Sequence, residues 1–453
     1  MIGVFPPHFT FNYDKLTMKL FYFIFLFFYA CCLHAKTCFV ATNGCDLNKG
    51  TIDSPFATLN KAYSMEGVDT IYFRAGVYVI TEEQIMEKTN LYARVFKMSR
   101  TDCSVSKRLY IGGYQLERPV FDLSQVRPQG LRVCVFYVDG SCHHFNNFEV
   151  VGTQVTLRGH TQSECFRNEG GNYNIYENIA MHDGMAIGFY LSKGKNNLVL
   201  NCDAYNNYDN FSEGIKGGNV DGFGGHPASI SDTGNVFRGC RAWWNSDDGF
   251  DLINASAPIT IDRCWSFYNG YQPQTKKPAG DGTGFKAGGY GMGDRPKAPK
   301  IIPEHVISNC LACDNRNKGF YANHHLGGIL WYNNTGYKNP SNFCMLNRKN
   351  IAEKVDVLGY NHVLLGNVSF MPKRLGADIV DIDKSKCIVR DNSFYSDNCI
   401  LTEEDFESLD ESLLMSPRKV DGKLPEITFL RPVKSSWLYS SRLGYTHTVN
   451  RIR

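Results

Sequence analysis

Four aspartates and one lysine have the residue types and the spacing to act together chemically. Asp221 and Asp248 each precede a Gly-Phe pair and are 27 residues apart, and Asp247 adjoins Asp248. Asp251 follows the second pair, and Lys286 takes the equivalent place after the next one. Because equivalent positions of stacked repeats lie side by side, we expect these five side chains to form one patch on the outer surface.

The charge of this patch indicates a metal ion. Close carboxylates repel one another unless protons or a cation neutralise them. A salt-bridged surface ladder would need several basic partners, and the repeat supplies only Lys286. Oxygen ligands without histidine or thiolate suit Ca²⁺, so we expect Ca²⁺ to bind to Asp221, Asp247, Asp248 and Asp251.

Lys286 has the character of a general base. A divalent cation nearby disfavours the ammonium form, which lowers the lysine pKa and makes the neutral amine accessible. A neutral amine can take a proton from carbon, and a cation bound to a substrate carboxylate acidifies the neighbouring C–H. The pattern therefore predicts β-elimination on a uronic-acid polysaccharide, with Lys286 as the base.

The elements that must position these residues come from a repeat. Cys or Asn, any residue, a small residue and usually an aromatic recur at intervals of 24, 38, 24, 46, 24 and 33 residues. The repeats begin at Asn178, Cys202, Cys240, Cys264, Cys310, Asn334 and Asn367. A coil of ~24 residues with loop insertions predicts an all-β, right-handed parallel β-helix with internal ladders of Asn, Cys, Ser and aromatic side chains.

A second ladder runs through the Gly-Phe pairs. The pairs are Gly188-Phe189, Gly222-Phe223, Gly249-Phe250, Gly284-Phe285 and Gly319-Phe320. We expect each glycine to adopt a left-handed backbone before the strand. The phenylalanines should point inward and their neighbours outward.

The two ends of the solenoid need covering. Ser54-Pro55 reads as the N-cap and first residue of a short helix over the first coil, and residues 402–415 read as a helix. We expect residues 36–400 to form the β-helix domain and residues 401–453 to pack on it. Cys38 and Cys45 are a possible disulfide.

The N-terminus indicates export. Residues 20–33 are an unbroken apolar and aromatic run preceded by Lys19, too short to span a bilayer but typical of a signal peptide. With Met18 as the start and cleavage after Ala35, residues 1–35 are the signal peptide. We expect a secreted protein, at the cell surface, in the periplasm or in the medium, without a membrane span.

Composition excludes some classes. The 453 residues carry a formal net charge of +3, which does not favour charge-driven binding to nucleic acid. With 43% hydrophobic and 21% charged residues the chain is globular rather than disordered. Its 42 Gly, 30 Phe and 25 Tyr favour turns and strands over helices. We expect a monomer.

Two segments closely resemble the signatures of polysaccharide lyase family nine. They run from Asn245 to Leu252 and from Gly282 to Gly289. The resemblance covers about residues 37–445 and implies a right-handed parallel β-helix lyase. It also implies that the four aspartates bind Ca²⁺ and that Lys286 abstracts the C5 proton of a galacturonate.

One departure from that family bears on the substrate. Gly224-Gly225-His226 stands where small residues and then a lysine are expected. His226 could donate a hydrogen bond to a neutral sugar hydroxyl. Near the patch we expect aromatic residues and few basic ones, so the sequence favours rhamnogalacturonan I over polygalacturonate. The aromatics are Trp243, Trp244, Trp265, Phe267, Tyr268 and Tyr271, and the candidate substrate-binding residues are Lys216, His226, Arg241 and Arg263.

Two other classes of function remain open. A β-helix glycoside hydrolase would use Asp247 and Asp248 as acid and base with an attacking water. The chain lacks the Gly-His-Gly and Arg-Ile-Lys segments that pectin hydrolases of that type carry. A non-catalytic adhesin would keep the ladders without needing Lys286 beside the carboxylates.

Overall fold

The computed structural model describes residues 36–214, 217–291, 298–353, 355–395 and 400–446. The signal-peptide residues and Lys216 lie outside these ranges, so what the sequence predicts for them stays a prediction. The described chain is built mainly from short parallel strands, which confirms the predicted β-helix. Each full coil contributes three strands, because the chain returns to the same sheet after every circuit.

One sheet contains the Gly-Phe pairs and is called the glycine–phenylalanine sheet. Its eleven strands are parallel except for the antiparallel pair β4–β5. They are β4 (Glu87–Lys88), β5 (Tyr92–Met98), β8 (Arg132–Val138), β10 (Glu164–Glu169), β12 (Ile187–Lys193), β15 (Phe223–Gly225), β18 (Phe250–Asp251), β21 (Phe285–Lys286), β24 (Lys318–Tyr321), β27 (Ser341–Cys344) and β32 (Ile379–Val380).

The other large sheet has twenty strands in two columns that meet at a corner. The first column holds β1 (Lys36–Val40), β2 (Val68–Phe73), β6 (Leu109–Gly113), β9 (His143–Val151), β11 (Ile175–His182), β13 (Leu198–Leu200), β16 (Asn235–Arg238), β19 (Ile259–Asp262), β22 (Val306–Ser308), β25 (Leu330–Tyr332), β30 (Val363–Leu365) and β33 (Ile388–Arg390). The second column holds β3 (Val77–Val79), β7 (Val120–Asp122), β14 (Asp203–Tyr205), β17 (Arg241–Trp243), β20 (Trp265–Phe267), β23 (Leu311–Cys313), β26 (Thr335–Tyr337) and β31 (Val368–Phe370). Strands β9 and β11 run through the corner into both columns.

A small antiparallel pair, β28 (Asn347–Arg348) and β29 (Asp356–Val357), and two helices complete the regular structure. Helix α1 (Leu59–Tyr63) lies beside the first coil, as expected. Its N-cap is Thr58 rather than Ser54, because the Thr58 hydroxyl accepts the Lys61 N–H. Helix α2 (Trp437–Ser441) lies near the C-terminus.

Internal ladders account for the unusual composition. The backbone N–H of Cys264 donates to Cys310 Sγ, that of Cys310 to Asn334 Oδ1, and that of Asn334 to Asn367 Oδ1. These bonds satisfy buried polar groups at the corner where the strands turn. Rings of Phe223, Phe250, Phe285, Phe320 and Phe343 stack at centroid distances of 4.9–5.0 Å.

The repeat alignment is correct except for its first interval. Ala180 pairs with Asp203 rather than with Ala204. The reason is the position of the corner: Asn178 and Asn201 both have φ of 53°, so the two corners are 23 residues apart rather than 24.

The predicted role of the Gly-Phe glycines is wrong. None of the five has a positive φ. Glycine is required there because successive coils approach too closely for a side chain: a Cβ on Gly249 would lie 2.1 Å from Ser266 Oγ and 2.8 Å from the Gly284 carbonyl oxygen. Close approach, not backbone freedom, explains this ladder.

The C-terminal segment, residues 400–446, packs on the later strands of the second column, from β17 to β31. Residues 402–415 are not one helix: two 3₁₀ turns, Glu403–Asp405 and Glu411–Met415, flank an extended stretch that bridges to Pro432 and Phe429. The six aromatics expected near the carboxylates instead form a buried apolar cluster with this segment. Cys38, buried in β1, and Cys45, exposed in the following turn, are not joined.

Candidate functional site

The glycine–phenylalanine sheet brings the predicted carboxylates together. Phe223 pairs with Phe250, which places Asp221 and Asp248 side by side in successive coils. The Asp248 N–H donates to Asp221 Oδ1 at 3.1 Å. One oxygen of each of Asp221, Asp248 and Asp251 lies within 4.8 Å of the others.

Lys286 lies within this cluster. Asp251 pairs with Lys286 across β18 and β21, as the repeat predicted. The Lys286 Nζ is 3.0 Å from Asp248 Oδ2 and 3.1 Å from Asp251 Oδ2. The amine is therefore held between two carboxylates rather than extended into solvent.

A carboxylate that the sequence reasoning missed joins the cluster from a loop. Asp281, Asp247 and Asp248 form a second group with oxygens within 4.8 Å of one another. The loop is anchored because the Asp281 N–H donates to Asp247 Oδ1 and the Thr283 N–H donates to Asp248 Oδ1, both at 2.6 Å. In the sequence, Asp281 lies between two glycines just before the segment that begins at Gly282 and resembles the family, and this position could have identified it as a site residue.

The predicted patch is covered rather than exposed to solvent. Asp248 is fully buried and the Lys286 side chain is 14% exposed. The loop before β21 covers the carboxylates, since its Gly280 lies so close to Asp247 that a Cβ there would be 2.7 Å from Oδ1. A covered site strengthens every charge interaction inside it.

Burial and mutual repulsion perturb the carboxylates. Burial, and then the charges of neighbouring aspartates, raise the pKa of Asp221 and of Asp247 well above the usual range. Burial raises the pKa of Asp248 to about 6, although Lys286 acts in the opposite direction. Burial would lower the pKa of Lys286, but Asp248, Asp251, Asp247 and Asp221 raise it well above its ordinary value.

These residues suit a hard divalent cation. The clustered donors are carboxylate oxygens, and Lys286 is the cation that the structure places among them in ion pairs. Several carboxylates surround this one lysine, so the ionised cluster carries more negative charge than Lys286 balances. Ca²⁺, which takes six to eight oxygen ligands, matches both the donor type and the charge excess.

His226 is beside the cluster but in a different role from the one predicted. Its Nδ1 is 2.6 Å from the Ile253 carbonyl oxygen, which can only accept, so Nδ1 carries the proton. Burial lowers the pKa of His226, so the ring is neutral and Nε2 is an acceptor. This Nε2 is buried without a partner among the described residues. The ring stacks on Tyr190 at 4.6 Å.

The two arginines of the predicted substrate set lie elsewhere. Arg241 is in β17, in the second column of the large sheet, where it pairs with Asp203 at 2.8 Å and donates to the Leu414 and Ser416 carbonyls. It therefore anchors the C-terminal segment. Arg263 lies at the corner of the same sheet, 3.5 Å from Asp262. Neither is on the sheet that carries Lys286.

Tyr321 is another neighbour of Lys286 that the sequence reasoning did not identify. Tyr321 pairs with Lys286 in the next coil. Its hydroxyl is 2.8 Å from His324 Nε2, and His324 Nδ1 is 2.6 Å from Asp356 Oδ1. Tyr321 follows Gly319-Phe320 in the position that Lys286 takes after Gly284-Phe285, so the same ladder could have identified it.

The residues that the structure describes contain no helix long and apolar enough to cross a membrane.

Comparisons with known proteins identify the family. A family model described as "Pel9A-like, right handed beta helix region" matches residues 38–361. Pectate lyase L of Dickeya chrysanthemi is 31% identical over 407 residues, covering 89% of this chain and 85% of that protein.

Two solved structures are also similar. One, titled "Rhamnogalacturonan lyase", has a TM-score of 0.87 and 48% identity and covers 91% of this chain and all of its own. The crystal structure of pectate lyase Pel9A has a TM-score of 0.68 and 28% identity and covers 89% of this chain and 92% of its own. The chain therefore belongs to polysaccharide lyase family nine, with the Pel9A-like right-handed β-helix, and is a polysaccharide lyase.

Proposed function

We propose that this chain cleaves the rhamnogalacturonan I backbone by β-elimination at galacturonate, with Ca²⁺ as cofactor and Lys286 as the base. The observation that carries the proposal is the position of Lys286, held between Asp248 and Asp251 within a buried group of carboxylates. A hydrolase acting through Asp247 and Asp248 would have no use for an amine there.

Different residues of the chain would bind the metal ion and abstract the proton. Asp221, Asp247, Asp248 and Asp251 would hold Ca²⁺, and Asp281 supplies a further oxygen beside Asp247 and Asp248. When bound, Ca²⁺ supplies positive charge that holds the uronate carboxylate and acidifies the C5 hydrogen.

Lys286 performs the proton abstraction. Its neutral amine takes the C5 proton, the electron pair forms the C4–C5 double bond, and the C4–O4 bond breaks with its electrons on the departing oxygen. That oxygen takes a proton from solvent or from a neighbouring hydroxyl. Only the neutral amine can accept a proton, so the ion pairs of Lys286 with Asp248 and Asp251 must weaken before turnover.

Two observations support rhamnogalacturonan I over polygalacturonate. The structure named as a rhamnogalacturonan lyase is 48% identical to this chain, against 31% for the named pectate lyase of Dickeya chrysanthemi. At the cluster, the neutral ring of His226 stands where the family resemblance implies a lysine, and a second carboxylate would need a cation there. The expected aromatic contacts no longer support this choice, since those residues are covered by the C-terminal segment.

Initial rates decide the substrate. Residues 36–453 would be assayed on rhamnogalacturonan I and on polygalacturonate at equal uronate concentration, by the ultraviolet absorbance of the unsaturated product. Faster cleavage of polygalacturonate would make the runner-up, a pectate lyase, the correct assignment. A new reducing end without unsaturation would indicate a hydrolase, and no product an adhesin.

The same preparation tests the cofactor. Chelator should abolish activity, and Ca²⁺ should restore it better than Mg²⁺, which resists a site crowded with carboxylates. Full activity of metal-stripped protein would exclude the cofactor. We further propose that the enzyme is exported, with residues 1–35 removed, and acts as a monomer. N-terminal sequencing of the secreted protein and its sedimentation would check both points.

A further inference from the structure

A cleft on the large sheet is separate from the glycine–phenylalanine sheet and the carboxylates. It has a volume of about 1070 Å³ and lies on the outer face of β9, β11, β14 and β17. The C-terminal segment covers the same face in later coils but reaches this one only at residues 415–422. Pockets of roughly 300–1,000 Å³ hold drug-sized ligands, so this volume suits an oligosaccharide rather than one sugar.

The charged side chains of the cleft are paired with one another or with neighbours. Arg118 Nε is 2.7 Å from Glu149, while Arg241 and Arg418 both bind Asp203 at 2.8 and 2.6 Å. Lys419 pairs with Glu426, and Asp421 with Lys423 at 2.6 Å. A charged ligand would have to displace these pairs, so the lining favours a neutral one.

The hydrogen-bonding capacity left in the cleft belongs largely to amides. Amide side chains line the cleft, among them Asn147, Asn206 and Gln274. An amide side chain both donates to and accepts from a sugar hydroxyl. At the rim, Leu116 is 81% and Val420 90% exposed, and both line the cleft. Apolar rims beside amides suit the alternating C–H and O–H faces of a sugar.

From these features we propose that the cleft binds a neutral oligosaccharide, at a site independent of the elimination chemistry. A neutral segment held there would keep the enzyme on a polysaccharide while the carboxylate site acts on uronate. The binding does not require the proposed function to be correct, because it involves none of the carboxylates or Lys286.

Calorimetric titration tests the proposal on residues 36–453 carrying Lys286→Ala, so that no probe is cleaved. The probes are β-1,4-linked galactotetraose and arabinotetraose, with tetragalacturonate as the charged comparison. At least one neutral probe should bind saturably at one site. Leu116→Glu should abolish that binding by placing a charge at the rim, and tetragalacturonate should bind equally with or without it.

Each of the two cleft variants, Leu116→Glu and Asn206→Gly, has a matched control outside the cleft. Leu47→Glu makes the same change at a residue that is 95% exposed outside the cleft, and should bind like the parent. Asn206→Gly removes an amide that lines the cleft while tolerating φ of 55° and should weaken binding about tenfold. Asn361→Gly, at an exposed residue with φ of 60°, should not. The proposal is wrong if neither neutral probe binds, or if Leu116→Glu and Asn206→Gly leave binding unchanged.

Discussion

The carboxylate cluster should make the metal-free enzyme less stable as pH rises. In the folded state burial raises the pKa of Asp248 from 3.8 to about 6. A carboxyl whose pKa is raised on folding favours the folded state while it is protonated, below pH 3.8. This contribution is lost as pH rises through about 6. The full shift corresponds to about 3 kcal/mol, of which about 2.4 kcal/mol is lost between pH 4 and pH 7.

The variant Asp248→Asn isolates this contribution. Its amide keeps the shape of the side chain but does not titrate, so the difference in unfolding free energy between wild type and variant should change by about 2.4 kcal/mol between pH 4 and pH 7. For a chain of about 400 residues this is a relative shift in Tm of about 3 °C. Asp221 and Asp247, whose pKa values are also raised, likewise make the wild-type protein less stable as pH rises.

Scanning calorimetry in chelator and in Ca²⁺ would measure both effects. Ca²⁺ at a hundred times its Kd should stabilise wild type by about 2.7 kcal/mol and reduce its dependence on pH, while Asp248→Asn should respond much less. The reasoning is refuted if, in chelator, wild type gains stability relative to Asp248→Asn as pH rises from 4 to 7.

Three further predictions concern the base and the fold. Lys286→Ala should lower kcat by about 10²- to 10⁴-fold. Lys286→Arg should be nearly as inactive at neutral pH because guanidinium keeps its proton. Near-normal turnover in either variant, with Ca²⁺ binding shown to be intact by calorimetry, would contradict the role of Lys286 as the base. Gly249→Ala should lower the unfolding free energy by at least 1–3 kcal/mol, since its Cβ would overlap Ser266; an unchanged urea midpoint would count against close approach. Asp203→Asn should lower the unfolding free energy by about 3–5 kcal/mol, because it leaves the buried Arg241 and Arg418 without their full ionic partner. It should also speed proteolysis of residues 400–446. Equal cleavage rates in wild type and variant would argue that this segment is held by its apolar contacts alone.

Much of the site could be predicted because it depends on local repetition. A strand places alternate residues on opposite faces, and stacked coils align equivalent positions, so the Gly-Phe pairs alone placed Asp221 beside Asp248 and Asp251 beside Lys286. The same ladder extends to Tyr321, which was overlooked although its position is equivalent.

Insertions and chain ends could not be predicted in this way. Asp281 belongs to a loop whose path depends on its contacts with Asp247 and Asp248, not on any repeat. The aromatics of the second column carry the same outward pattern whether a substrate or the C-terminal segment covers them. Only packing with residues 400–446 distinguishes the two cases.

The sequence by itself determined the coil, its register over most of its length, and which carboxylates and amine meet, because these follow from the spacing of residues within a repeat. The tertiary structure decided how deeply they are buried, which nitrogen of His226 is free, and that Arg241 anchors a distant segment. Burial and hydrogen-bond partners come from residues far apart in the chain, and no local pattern specifies which of them will be neighbours.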